Sequence, residues 1–354
     1  MIRVSKKEDL TIYWEFSRYL DFWSHLTFHE MCDNYEIFNN FSTEWQEQYV
    51  HWKKATFYFG SIGTAINIIL LILLISLEGY RRFPEYVYLG IGDFCATVGL
   101  MFRGTDRLQL FQMIRSTGTA CRQTSITCAQ KAYIWLRLVG SLLPALILVI
   151  IGFEKLSCVL WPAWYKRHAE NKGKKITICV TLYLTFNILA ASVLVIVNEN
   201  SNVKISCGRK ETFSKPFMLY VYMIEILGYL TAFILNINAY LRLLRLTNLR
   251  DAENLIRKAK ISLILAFFSC ILVAIPGIFN MINAVMDLKK VNVREAALCL
   301  ASINASMNIF LYLCLKGEIY QRLHYKLRTQ KNRIVAIKTE LSKTSEKIRK
   351  TCLR

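Results

Sequence analysis

The sequence predicts an all-α membrane protein, a seven-transmembrane helix bundle followed by a short amphipathic eighth helix. Three observations predict it. Hydrophobic residues make up 54% of the 354 positions. They gather in long uncharged blocks such as Ala55–Leu77, Ile176–Val197 and Ile261–Val285, each above the ~20 residues a helix needs to cross a hydrocarbon core of about 30 Å. Only five prolines occur, as suits long helices with few turns.

Each element follows in order. Residues 1–54 are polar, aromatic-rich and slightly acidic, an extracellular segment in this reading. They lack a basic-then-apolar leader, so the first span serves as the insertion signal. The spans run about Ala55–Leu77, Tyr86–Phe102, Ala132–Phe153, Ile176–Val197, Phe217–Leu241, Ile261–Val285 and Ala296–Leu315. The second and fifth each carry a charge, and the second is short. Helices are expected because backbone exposed to lipid must satisfy its own hydrogen bonds, and no barrel-like alternation occurs. Residues 55–315 thus form the bundle, 316–328 an amphipathic juxtamembrane helix and 329–354 a basic cytoplasmic tail. No internal repeat of the transporter kind is visible.

Charge sets the orientation. Lys plus Arg total 45 against 25 acidic residues, a net charge of +20. The excess lies in short connections and in the tail, the pattern of a membrane protein facing anionic lipid rather than of a nucleic-acid binder. From Lys316 onward there are twelve basic and three acidic residues, whereas residues 1–54 hold six basic and nine acidic. The N-terminus is therefore expected outside and the C-terminus in the cytoplasm, although Arg103–Lys131 places five basic residues on the outer side. The sequon Asn40-Phe41-Ser42 falls in the outer segment and makes Asn40 a candidate glycosylation site. A second, Asn304-Ala305-Ser306, lies within the seventh span. Eleven cysteines include no CxxC pair, and the five histidines are scattered, so no metal site is expected.

Three charges interrupt the spans, and each costs several kcal/mol to bury unpaired. Arg137, five residues into the third span, lies about 8 Å deep. It either snorkels to the interface, faces a pocket, or pairs with Glu225. Glu225, about 12 Å into the fifth span, is either a protonated carboxyl bonded to a neighbouring helix or a ligand contact. Asp93 lies in the middle of the second span, too deep to reach an outer cavity easily. Its natural partners are Asn67, Asn304 and Asn308, either as a hydrated cluster holding a monovalent cation or as plain interhelical hydrogen bonds. No other cofactor is expected.

Several motifs now stand in order. Gly63-x-x-x-Asn67 lies in the first span and Leu89-x-x-x-Asp93 in the second. Glu154-Lys155-Leu156-Ser157-Cys158-Val159-Leu160-Trp161-Pro162-Ala163-Trp164-Tyr165 follows the third. Pro276 sits in the sixth, Asn308-Ile309-Phe310-Leu311-Tyr312 in the seventh, and Gly317-Glu318-Ile319-Tyr320-Gln321-Arg322-Leu323 follows. Over roughly Ala55–Lys326 this series resembles the rhodopsin-like G-protein-coupled receptors, and in its looser form the nematode serpentine chemoreceptors. Lys155 stands where the family has arginine and loses the planar donor fork. Ile309 replaces the seventh-span proline, and no proline occurs within the fifth span.

The resemblance implies a chemosensory receptor of the plasma membrane. A small-molecule or peptide ligand would bind in the outer half of the bundle, with Trp135, Arg137, Tyr222 and Glu225 as pocket candidates; for the two aromatics, ordinary packing competes. A positive charge at Arg137 would favour an anionic or carbonyl-bearing ligand unless Glu225 neutralises it. Binding would shift helix packing and expose a basic mouth (Arg242, Arg245, Arg257, Lys258, Lys260) to a heterotrimeric G protein, with Glu154, Lys155, Pro276 and Tyr312 in the switch. Basic residues also flank cytoplasmic span ends for topology alone. The resemblance further implies a disulfide from Cys207 to Cys128, or alternatively to Cys121, and a Cys32–Cys121 bridge is a further option. The rivals are a transporter or channel using Asp93, Arg137 and Glu225 as a charge path, and a seven-helix protein that couples to nothing. No nucleophile–base pair, metal set or phosphate loop points to an enzyme. In the tail, Ser342, Thr344 and Ser345 are phosphorylation candidates, Cys352 an acylation candidate, and the basic run a lipid-binding one.

Overall fold

The computed structural model describes residues 35–37, 43–76, 84–121, 123–169, 172–198, 202–203, 207–245, 252–286 and 291–315. In chain order the helices are α1 (Thr43–Ser76), α2 (Pro84–Thr117), α3 (Ser125–Ala129), α4 (Ala132–Leu160), α5 (Pro162–Ala169), α6 (Lys172–Val197), α7 (Arg209–Phe213) and α8 (Lys215–Arg245). Then α9 (Ala252–Ser269) passes through a π-helical turn at Cys270–Ala274 into α10 (Ile275–Val285), and α11 is Val291–Leu315. Short strands β1 (Tyr35–Ile37), β2 (Thr119–Cys121), β3 (Gln123–Thr124) and β4 (Asn202–Val203) form two antiparallel pairs, with Tyr35 opposite Cys121 and Gln123 opposite Val203.

Local chemistry sets the boundaries. Pro84 opens α2, where its missing N–H costs nothing, and Glu85 follows in the first turn. Gly118 stops the helix at φ +69°, a left-handed conformation that glycine adopts without strain. Thr124 and Thr127 cap α3 reciprocally. Pro162 opens α5 and forces the break after Leu160. The π turn lies immediately before Ile275–Pro276, where the proline ring removes a donor and crowds the carbonyl four residues back.

Among the described residues, five helices are long and apolar enough to cross a bilayer: Tyr49–Ser76, Ala132–Leu160, Lys172–Val197, Lys215–Arg245 and Ala259–Val285. The expected count of seven also needs α2 and α11, which are not among the five. α2 carries Asp93, Arg103, Asp106 and Arg107, and side chains from Ile309 onward in α11 lie outside the described residues.

The surface is inverted relative to a water-soluble bundle. On α6, Ile178, Leu182, Phe186, Leu189, Val193 and Ile196 recur every three or four residues, each more than half exposed, while Asn187 is fully buried. Such a stripe matches hydrocarbon, not water. Inside, Asn67, Thr97, Ser269 and Asn308 are buried with Asp93. Small residues set the helix spacing. A Cβ at Gly60 would lie 2.5 Å from the Met101 backbone, and one at Gly104 2.9 Å from Phe57, so α1 and α2 run antiparallel in tight register. α2 and α4 repeat the device at Gly140 against Ala96 and Gly92 against Pro144.

Two helices run past the spans expected for them. α2 does not end at Phe102 but continues for another fifteen residues to Thr117, because no glycine or proline intervenes except Gly104, whose missing side chain admits Phe57. Likewise α1 begins at Thr43 rather than Ala55, carrying Lys53 into the protein, where it is 2% exposed. Residues 1–34, Cys32 among them, Asn40, the segment 316–328 expected to form a juxtamembrane helix and the tail at 329–354 lie outside the described residues.

Candidate functional site

The site is a cavity between α2, α4, α8, α10 and α11. Arg137 reaches it from α4. Its side chain passes over Gly99, where a Cβ would come within 2.7 Å of Arg137 Cγ. Tyr222 and Glu225, three residues apart on α8, share one face and both line the cavity.

A fourth polar group comes from a connection. Cys207 forms a disulfide with Cys128, which lies in α3, four residues before α4 begins. The Cys207 carbonyl accepts from the Arg107 guanidinium and from the Tyr133 hydroxyl at 3.3 Å. Two residues on, Arg209 enters the cavity, 6% exposed. Its Nη1 donates to Ser141 Oγ at 2.8 Å, and its guanidinium lies 5.5 Å from the centre of the Tyr222 ring, a cation–π contact. Ser141 also hydrogen-bonds Glu225, whose carboxyl lies in the field of Arg209 first and Arg137 second. Sequence reasoning missed Arg209; its place two residues after the lone cysteine of that connection was the available signal.

Trp135 lies elsewhere. Its indole N–H donates to the Ala129 carbonyl at 2.7 Å and its ring packs edge-on against Phe213 at 5.1 Å. Two residues along a helix turn the side chain by about 200°, so Trp135 and Arg137 face opposite ways. Asp93, expected to lie too deep for a cavity, lines this one together with Arg137 and Glu225.

Below the arginines is a polar network. Asn308 Nδ2 donates to Asp93 Oδ2 at 3.4 Å, and Ser269 Oγ lies 3.1 Å from Asn304 Oδ1 and 3.5 Å from Asn308 Oδ1. Asn67 does not bond Asp93 directly: its Nδ2 donates to Thr97 Oγ1 at 3.4 Å, and Thr97 in turn donates to the Asp93 carbonyl. Asn67 Oδ1 is buried without a hydrogen bond. Among the described residues no group of three or more His, Cys, Asp and Glu is placed to hold a metal ion.

At the opposite end of α4, Glu154 pairs with Lys172 at 2.6 Å and accepts from the Tyr165 hydroxyl at 2.7 Å, while Lys172 also reaches Glu85 at 3.1 Å. Burial and the adjacent Glu154 carboxylate raise the Tyr165 phenol above its ordinary value. Lys155 is half-buried beside this network, and the motif acid is held by Lys172 from α6 instead. Pro276 lines the cavity just past the π turn. Arg242, Arg245 and Lys260 are exposed, while the side chains of Arg257, Lys258 and Tyr312 lie outside the described residues.

No protein-family model matches this chain, and no curated protein matches it. Five apolar helices with lipid-compatible faces and a polar interior decide its class. The chain is a multi-pass helical membrane protein.

A second buried charge cluster, also missed in the sequence, joins three helices. Glu295 Oε1 lies 2.5 Å from Lys53 Nζ and 3.0 Å from Arg103 Nη2, with all three side chains 3% exposed. Thr56 donates to the other carboxylate oxygen at 3.5 Å. The three residues stand at the edges of apolar blocks, where a charge reads as the end of a span.

Proposed function

We propose that this protein is a seven-helix, rhodopsin-like G-protein-coupled receptor of the plasma membrane, chemosensory, with its N-terminus outside and its C-terminus in the cytoplasm. In this reading α2 and α11 supply the remaining two crossings. The observation that carries the proposal is the cavity: ionic side chains from α4, α8 and a disulfide-tied connection converge on it. Asp93 and Asn304 line its inner part, held by hydrogen bonds to Asn308 and Ser269, and its wall includes Pro276 beside the π turn. A ligand that binds two helix packings unequally shifts the balance between them. The π turn and proline give the sixth crossing a place to bend, and the Glu154–Lys172–Tyr165 contacts at the other end hold the ends of α4 and α6 together until it does. A heterotrimeric G protein would then dock on the cytoplasmic face, and anionic lipid would meet the basic tail.

The test uses the purified full chain in lipid nanodiscs with G-protein heterotrimers and a ligand library, reading nucleotide exchange. Ligand-dependent exchange that falls in a Glu225→Gln variant of normal yield supports the receptor. The transporter reading has one observation in its favour, the placement of Asp93, Arg137 and Glu225 along a single cavity. Solute flux in proteoliposomes that depends on Asp93, without nucleotide exchange, would replace the receptor with that reading.

A further inference from the structure

We infer that the cavity takes a small organic anion that also carries a hydrogen-bond donor, the anionic group held between Arg209 and Arg137 and the donor satisfied by Asn280. This rests on the ligand-cavity reading above and names the chemistry of its occupant. Two guanidinium groups and one carboxylate, Glu225, line this end of the cavity, an excess of one positive charge. The other carboxylate on the wall, Asp93, is six residues before Gly99, the residue that Arg137 packs over. That places it about 9 Å farther along α2, where Asn308 bonds it. The positive field at the arginines is therefore only partly offset.

Arg209 is prepared for an anion. Ser141 fixes one edge of its guanidinium and the Tyr222 ring supports its face, leaving a planar fork that suits two-point contact with a carboxylate. The disulfide to Cys128 anchors the backbone two residues away, so little ordering is needed on binding. Asn280 supplies the second, independent observation: it lines the same cavity, and its Oδ1 is buried with no hydrogen-bond donor. An unsatisfied buried acceptor calls for a hydroxyl or N–H. An amine ligand would meet the arginines with like charge, and a plain hydrocarbon would leave both features uncompensated.

The experiment measures direct binding to the full chain in nanodiscs. The probes are a panel of small hydroxy- and amido-carboxylates, each paired with its methyl ester and the corresponding amine. Carboxylates are expected to bind and their ester and amine partners to bind at least about tenfold more weakly. Arg209→Gln should lose about tenfold or more in carboxylate affinity, Arg209→Lys should lose less, and Asn280→Leu should weaken hydroxy-carboxylates but not their deoxy counterparts. Variants are compared at matched monodispersity, and Arg209→Lys guards against loss through misfolding. If no carboxylate binds, if esters or amines bind equally well, or if Arg209→Gln leaves affinity within about twofold, the inference is overturned. Carboxylate binding without nucleotide exchange would overturn the receptor reading alone. Exchange driven only by amines would overturn the anion inference alone.

Discussion

Replacing Glu295 by glutamine keeps the shape of the side chain and removes its charge, leaving Lys53 and Arg103 facing each other in a site where each side chain is 3% exposed. At 2.5 and 3.0 Å and an effective dielectric of about 20, the two contacts are worth roughly 5–7 kcal/mol each in gross Coulomb terms. Desolvation cancels much of that while the cluster is complete. Once the carboxylate is neutral, the cations keep their burial and lose their counter-charge, so the net cost should be about 3–5 kcal/mol. Unfolding of the purified protein in mixed micelles, followed by tryptophan fluorescence against denaturant fraction, measures it. A companion triple variant, Lys53→Met with Arg103→Met and Glu295→Met, should recover most of the loss, since an apolar trio has nothing to desolvate. A Glu295→Gln protein within about 1 kcal/mol of the parent would show that the cluster is solvated and that the burial argument fails.

Other outcomes follow from single contacts. Non-reducing peptide mapping should recover Cys128 joined to Cys207, and Cys207→Ser should lower stability by about 4–5 kcal/mol on the chain-entropy account of a 79-residue separation; an unchanged midpoint would count against it. Gly140→Leu should sharply reduce folded yield, measured by size-exclusion of a fluorescent fusion, because its Cβ alone would lie 2.5 Å from the Ala96 backbone; Gly118→Ala should cost only about 1 kcal/mol, because the site is open and only its φ resists. Lys172→Gln leaves Glu85 and Glu154 without their shared cation, and should raise protease cleavage in the connection between α4 and α6 several-fold.

The sequence alone determined that this chain crosses a membrane repeatedly, because bilayer thickness imposes a length and composition that a local window detects. It also brought Arg137, Tyr222, Glu225 and Asp93 forward, since a polar or charged group within an apolar run is conspicuous wherever the run is placed. Pairing was another matter. Arg103 and Glu295 are 192 residues apart and meet only after α2 and α11 pack side by side, so nothing local marks either as buried. Arg209 reads as an ordinary loop charge until the Cys128–Cys207 bond draws its segment across the bundle. Trp135 fails as a cavity residue for a reason the sequence did contain, its 200° offset from Arg137 on the helix. Hydropathy is a property of a stretch of chain, whereas the partner of a buried charge is a property of how distant stretches meet; only the tertiary structure decides which cations surround which carboxylate.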